Sequence, residues 1–413
     1  MNDTPFLKRS FVVLWLAQAG SGLGGTFAAF LMSWLVFDLT GSMVLMSSVW
    51  VAFMVPSILT HLISGPYIDR LQYKTVMIFS EWLRAAGFIM LGFCVFTDQL
   101  TLPVIMATAI MTGIAEPLFR PASMAYTAHI LPKESLQRGN SLLEGTMQLM
   151  MLAGPALAGI FLTVSGPGLL IGILVFVLIV CGLLLFLVPR VEREKTDEKP
   201  TWLKMFKEGL SFYHLYPVLL WIGLLMMVIN FSTGAAVPLF LPYIIEHIGS
   251  TEFMYGLFTS LFSFGMMAGS LITGMFKQPK NLRVVMLGSL TANGLLMVSL
   301  ALITNIWTAL CVALFQGIFA MIFTINNTTF YQQRVPAAIR GRVFAVRTLL
   351  AQTGIPLGAV FGGFIAEGYG FTILFITLGS IILTATTVAW FSRIYHQLNV
   401  PVDETKMKNK IGA

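Results

Sequence analysis

The chain has 413 residues, of which 57% are hydrophobic and 10% charged, with a mean hydropathy of +0.84 and a formal net charge of +7. Soluble domains carry about 25% charged residues, so most of this surface must face lipid or other buried helices, and a large soluble domain is excluded. The positive balance does not point to nucleic acid, because the cations are gathered in the segments that connect apolar runs.

Cys94, Cys181 and Cys311 each lie inside an apolar run without a CxxC partner, which supports neither a disulfide framework nor a thiolate metal site. His61, His129, His214, His247 and His396 show no metal-ligand spacing, and His61, inside a span, reads as a packed, hydrogen-bonded histidine. Lys8 and Arg9 precede the run Phe11 to Phe37, which is too long for a signal-peptide core and reads as a retained first helix.

A helix of roughly 20 apolar residues crosses a bilayer core of about 30 Å. On that criterion the spans are expected at 11–37, 43–67, 75–96, 102–127, 139–164, 167–188, 216–243, 253–276, 283–303, 306–330, 341–366 and 370–394. The expected class is an all-α membrane protein of twelve helices in two pseudo-symmetric six-helix halves. Alternate connections divide by charge. One set holds Arg70 and Lys74, Lys133 and Arg138, the segment 189–215, Lys277, Lys280 and Arg283, Arg334 and Arg340, and both termini. The other holds Asp38, Asp98, Ser165 to Gly168, Glu246, Glu252, Asn305 and Glu367, with none of the 25 lysines and arginines. Cations favour the cytoplasmic side, so both termini are expected there.

The mixed-charge run Val191 to Pro200 divides the chain into an N-terminal half (1–190), a cytoplasmic linker (191–215), a C-terminal half (216–396) and a tail (397–413). Trp202, Leu203, Phe206 and Leu210 recur at helical spacing, suiting either a short interfacial helix or a cytoplasmic start to helix 7. The halves read as distant copies: Gly65 and Gly269, and Pro132 and Pro336, are each 204 residues apart, and Arg138-Gly139 is echoed by Arg340-Gly341. Such repeats fit a secondary transporter with its site between the halves.

Enzyme readings fail. Gly20-Ser-Gly-Leu-Gly-Gly25 satisfies GxGxxG, yet it lies within an apolar helix and lacks a βα unit, so its small residues read as close helix packing. There is no Walker A loop. Ionisable groups inside spans are more telling, because they are costly in lipid and face cavities or partners. Thr112, Glu116 and Arg120 form one i, i+4 stripe on helix 4, which predicts that Arg120 tunes or pairs with Glu116. Glu81 with Arg84, Glu144, and Arg347 at the position of Glu144 in the second half read as salt-bridged gate residues nearer the cytoplasmic face. Glu116, Arg120 and Glu144 are the candidates for proton coupling. Gln18, Phe27, Trp34, Asn230, Phe323, Asn326 and Asn327 are candidates for a cavity wall. The aromatic stripes equally suit core or lipid-facing packing, and the asparagines equally suit hydrogen bonds across helices.

Between helices 2 and 3 stands Gly65-Pro-Tyr-Ile-Asp-Arg-Leu-Gln-Tyr-Lys74. Its Gly-x-x-x-Asp-Arg-x-x-x-Lys spacing resembles the loop signature of the major facilitator superfamily. Gly65, Asp69, Arg70 and Lys74 match, while the family's later glycine is Gln72 or Tyr73 here. The tracts Arg120-Pro-Ala-Ser, Leu131-Pro-Lys-Glu, Arg340-Gly-Arg-Val-Phe344, Pro356-Leu-Gly358 and Gly362-Gly363 look like the branch holding macrolide-efflux and enterobactin-exporting proteins. Gly154-Pro155-Ala-Leu-Ala-Gly159 is similar to the antiporter signature that bends helix 5, with Met150 at its first glycine.

The resemblance implies alternating access, with the hairpin and Arg340 and Arg347 as a latch, a small-molecule substrate, a lipid environment and a monomer. It implies no cofactor, a proton gradient as energy source, and export of amphipathic drug-like compounds. A lipid or siderophore carrier, or a transport-dead scaffold of the same fold, stays open. Drug–proton antiporters carry an arginine about where Thr112 stands, so that arginine's role does not transfer.

Overall fold

The computed structural model describes residues 9–68, 71–190, 210–213, 216–275, 279–335 and 340–399. Asp69, Arg70, the run Val191 to Pro200, Trp202 to Phe206 and the tail from 400 onwards lie outside them. All secondary structure among the described residues is helical, as an apolar chain without water to satisfy its backbone requires.

The first spans are α1 (Arg9–Thr40), α2 (Met43–Ile68), α3 (Tyr73–Phe96) and α4 (Leu102–Ile130). A long helix, Lys133–Phe186, follows and breaks only at Gly166 (φ 73°), which separates α5 (133–165) from α6 (167–186). The next are α7 (Pro217–Ala236), α8 (Glu252–Met275), α9 (Leu282–Ser299) and α10 (Ile306–Arg334). Last comes Arg340–Phe391, broken at Gly370 (φ 80°) into α11 (340–369) and α12 (371–391). Ten helices among the described residues are long and apolar enough to cross a membrane, and two of them run 48 and 50 residues. At 1.5 Å per residue each is about 70 Å, more than twice a bilayer core. Dividing both at their left-handed glycines brings the spans to twelve. Gly166 and Gly370 are again 204 residues apart, so the repeat extends to the backbone at the turn.

One span departs from the regular helix expected over 216–243. After Ala236 the chain passes through a 3-10 turn (Val237–Leu239) and a π turn (Tyr243–His247). Pro238 and Pro242 lack the N–H that would continue the α ladder, and the backbone changes its hydrogen-bond register around them.

Contacts group the chain into two compact units, Met1–Lys195 with Pro238–Ser263, and Thr196–Val237 with Phe264–Ala413. In the first, Tyr255 of α8 stacks on Phe30 of α1 at 5.1 Å, and a Cβ at Gly256 would stand 2.5 Å from the Pro155 carbonyl of α5. In the second, Gly354, Gly358 and Gly362 of α11 bring its backbone onto α7, where a Cβ on any of them would overlap the carbonyls of Met227, Phe231 and Ala235 respectively. Without a hydrophobic drive between helices in lipid, such close backbone approach is a principal source of cohesion.

The two halves also close their last helices alike. Lys74 Nζ donates to the Phe186 and Val188 carbonyls, 2.7 Å each, at the C-terminus of α6, and lies over the Phe186 ring. Arg283 at the start of α9 donates to the Trp390 carbonyl near the end of α12 and lies over the Trp390 ring. A cation there satisfies orphan carbonyls and the negative end of the helix dipole.

Candidate functional site

The chemistry gathers in the first unit where α1, α3 and α4 meet. On α1, Ser21 is followed within a turn by Gly24 and Gly25, which leave a gap in the helix surface. On α3, Glu81 and Arg84 lie one turn apart and are buried, at 0% and 1% exposure. Glu81 Oε1 accepts from the Ser21 hydroxyl at 2.6 Å and pairs with Arg84 Nη1 at 3.4 Å. Arg84 Nη1 also donates to Ser21 Oγ at 3.0 Å. Two atoms of this cluster remain without hydrogen-bond partners, Glu81 Oε2 and Arg84 Nε. A charge pair so dry loses much of its attraction to desolvation, and orphaned atoms add to the cost. Packing alone gives no reason to keep it.

Glu116 of α4 approaches from the other side of the glycine gap. A Cβ at Gly25 would stand 3.6 Å from Arg84 Nη2 and 3.7 Å from Glu116 Oε1, so both groups border the same gap. Glu116 also forms one wall of a small, half-open recess between α1, α2 and α4, with Met32, Trp50, Phe53 and Thr112 among the other lining groups. The neutral polar groups of this wall are occupied: Ser33 donates to the Ala29 carbonyl and Trp50 to Ser33, and Thr112 donates to Thr108. Among the described residues, Glu116 is the one ionisable side chain on the wall. The wall is thus apolar apart from a single carboxylate.

Arg120 has a different partner from the one its spacing predicts. Its Nη2 lies 2.6 Å from Glu144 Oε1 of α5, with both side chains about half exposed. Pro117 and Pro121 remove two hydrogen bonds of α4 around the stripe, while α5 offers a carboxylate at ideal distance. The guanidinium near Glu116 comes instead from Arg84, on a helix whose alignment with α4 no spacing rule reveals. Glu81 and Arg84 form a pair as expected, buried in the interior of the unit. The glycines of α1 were the one available signal for this meeting.

Several expected wall residues are packing groups. Gln18 is buried and accepts from Ser123 Oγ at 2.6 Å; Phe27 is buried edge-on against Phe161; Trp34 is half-buried outside the recess lining. On α5, Gly154 faces Thr26, and a Cβ at Gly159 would meet the Glu252 carbonyl at 3.0 Å. Pro155 offers its carbonyl to Gly256 of α8. Of the hairpin, Gly65 lies in α2, and Lys74 bonds within its own unit, to α6.

In the second unit Asn230 donates to the Ala351 carbonyl at 2.9 Å, cross-linking α7 and α11. Asn326 donates back to Ile322 in its own helix, and Asn327 to the Met226 sulfur. Phe323 sits in the core with Phe330 and Leu290. Arg340 opens α11. Arg347 is 8% exposed, stacked 4.7 Å from the Tyr331 ring and 5.2 Å from Phe344, and donates to Thr328. No described carboxylate pairs with it. No group of histidine, cysteine or carboxylate side chains among the described residues has metal-binding geometry.

Residues 2–409 match the family described as transmembrane secretion effector. Macrolide efflux protein A of Streptococcus pyogenes is 22% identical over 394 residues, 92% of this chain and 95% of that protein. The multidrug efflux pump Tap of Mycolicibacterium fortuitum is 27% identical over 405 residues, covering 94% and 95%. Among solved structures, the nucleoside transporter NupG superposes with a TM-score of 0.78 at 14% identity, over 93% of this chain and all of that one. A transport fold with twelve spans and a family match over nearly its whole length leave one assignment: the chain is a membrane transporter of the major facilitator superfamily, in its transmembrane secretion effector family.

Proposed function

We propose that the protein is a proton-coupled exporter of amphipathic, cationic small molecules, with both termini in the cytoplasm and Glu116 as the carboxylate that alternately holds a proton and faces the substrate. The observation that carries this reading is Glu116 as the one ionisable group on the wall of the apolar recess. As the one carboxylate on an otherwise apolar wall, it is the group there to which a proton or a substrate cation can bind. The efflux relatives, named for macrolides and for multiple drugs, support export over uptake. The coupling is then a competition: a proton taken from one side discharges the carboxylate and weakens its hold on a cation. On this reading the hairpin with Asp69 and Arg70 serves as a latch during the rocking of the halves, and Arg120 with Glu144 braces α4 against α5.

The test is uptake of ethidium into inverted vesicles under an imposed pH gradient. Wild type accumulates the dye; Glu116→Gln loses gradient-driven accumulation while dye-for-dye exchange persists. Well-inserted Glu116→Gln that still concentrates ethidium would overturn the assignment.

A further inference from the structure

We infer that Glu81 and Glu116 share one proton through Arg84, which serves both carboxylates across the gap left by Gly24 and Gly25; Arg84 is therefore a positioning residue for coupling, and Glu81 a second proton acceptor. The inference deepens the coupling role given to Glu116 above and rests on it.

The cluster holds two carboxylates and one guanidinium. With Arg84 on Glu81, as the structure shows it, Glu116 is left with the unbalanced charge. Yet the pairing with Glu81 is incomplete. Only one carboxylate oxygen is engaged, and the contact is long at 3.4 Å, while Glu81 Oε2 and Arg84 Nε stand buried without partners. The other end of the guanidinium, Nη2, donates to the Ser21 carbonyl at 3.4 Å and borders the empty Cβ position of Gly25, which Glu116 Oε1 borders as well. The Cβ position of Gly24 is also 3.6 Å from Nη2, though closer to Leu178 and Leu174 of α6, at 3.1 and 3.4 Å. Any other residue at 25 would put a carbon within 4 Å of both charges. The glycine run of α1 thus has a use beyond close packing.

The groups facing Glu81 are Ser21 from α1, Arg84 from α3, Glu116 from α4 and the Cys181 thiol from α6. Arg84 is the one cation among them, so it is the group for which the two carboxylates compete. When it turns to Glu116, Glu81 takes a proton on the orphaned oxygen and stays neutral in its dry site. When a cation enters the recess and pairs with Glu116, Arg84 returns to Glu81 and that proton leaves, by way of the Ser21 hydroxyl. One positive charge enters and one departs, and the cluster keeps its charge throughout.

The experiment counts protons. Detergent-purified protein is moved from pH 8 to pH 5 and the uptake assigned to this cluster is read by infrared difference spectra in the region of protonated carboxyl carbonyls. Wild type takes up about one proton, the behaviour of a coupled pair. Either Glu81→Gln or Glu116→Gln abolishes that uptake, because Arg84 then neutralises the carboxylate that remains. Uptake lost in Glu116→Gln but retained in Glu81→Gln overturns the sharing and leaves Glu116 as a lone coupling group. Uptake retained in both overturns the sharing and the coupling role together. Gly25→Val serves if Glu81→Gln does not fold: it removes no charge, occupies the gap and holds Arg84 on Glu81. Its spectra at low pH then keep the Glu116 band and lose that of protonated Glu81, and a spectrum identical to wild type overturns the proposal.

Discussion

The two halves share a backbone plan but spend their buried polar groups differently. In the first, Glu81, Arg84 and Glu116 put three ionisable groups around one glycine gap. In the second, the buried polar groups described are hydroxyls, amides and one cation: Ser232, Ser289 and Thr386 donate to carbonyls of their own helices, Asn327 and Gln316 to methionine sulfurs, and Arg347 is held by aromatic faces with no described carboxylate. A set of charges that cannot all be neutralised at once responds to protons; a set satisfied by ring faces and amides does not. On the coupling proposed above, the first half carries the proton and the second supplies rigid contacts.

The largest effect that separates them comes from stranding the buried cation of the first half. Glu81→Gln with Glu116→Gln leaves Arg84 without a counter-charge, and the expected loss is about 3–5 kcal/mol, read as thermal stability by fluorescence-detected size exclusion. A smaller loss in the double variant than in Arg347→Ala would reverse the contrast drawn between the halves.

Next is the packing of paired glycines. Gly358→Ala presses a methyl onto the Phe231 carbonyl, a backbone atom that cannot turn aside, whereas Gly154→Ala meets the Thr26 side chain, which can. Overpacking costs about 1–3 kcal/mol, and the second-half variant should lie at the upper end and the first-half variant at or below the lower. Equal losses in a heating series would show that α1 is as fixed against α5 as α7 is against α11.

Arg347→Met removes the charge while keeping an apolar stem beside Tyr331 and Phe344. The stacking is worth about 0.5–2 kcal/mol, and the loss should vanish when Tyr331 and Phe344 are already leucine. The smallest expected effect is at the exposed pair of α4 and α5. A double-mutant cycle on Arg120→Ala and Glu144→Ala should give a coupling of about 0.2–1 kcal/mol that shrinks with added salt. A coupling well above that range would mean the pair is shielded from water.

Much of this was legible in residue order. Apolar runs of helical length must satisfy their own backbone in lipid, so twelve spans follow from hydropathy, and the 204-residue offset announces the repeat that Gly166 and Gly370 carry into the backbone. Glu116 was recognisable because a carboxylate in mid-span needs a reason to be there. Which cation it meets was not. The i, i+4 rule reports neighbours on one helix, and it pointed to Arg120; the rotation and depth of α3 and α5 against α4 decided instead that Arg120 reaches Glu144 and Arg84 reaches the gap at Gly25. Those rotations depend on where small residues let backbones approach, a property of pairs of helices that no single helix records. The same holds for Gln18, Asn230 and Asn327, whose need for partners is plain from the residue type, while the partners themselves, Ser123, Ala351 and Met226, are set by the packed bundle.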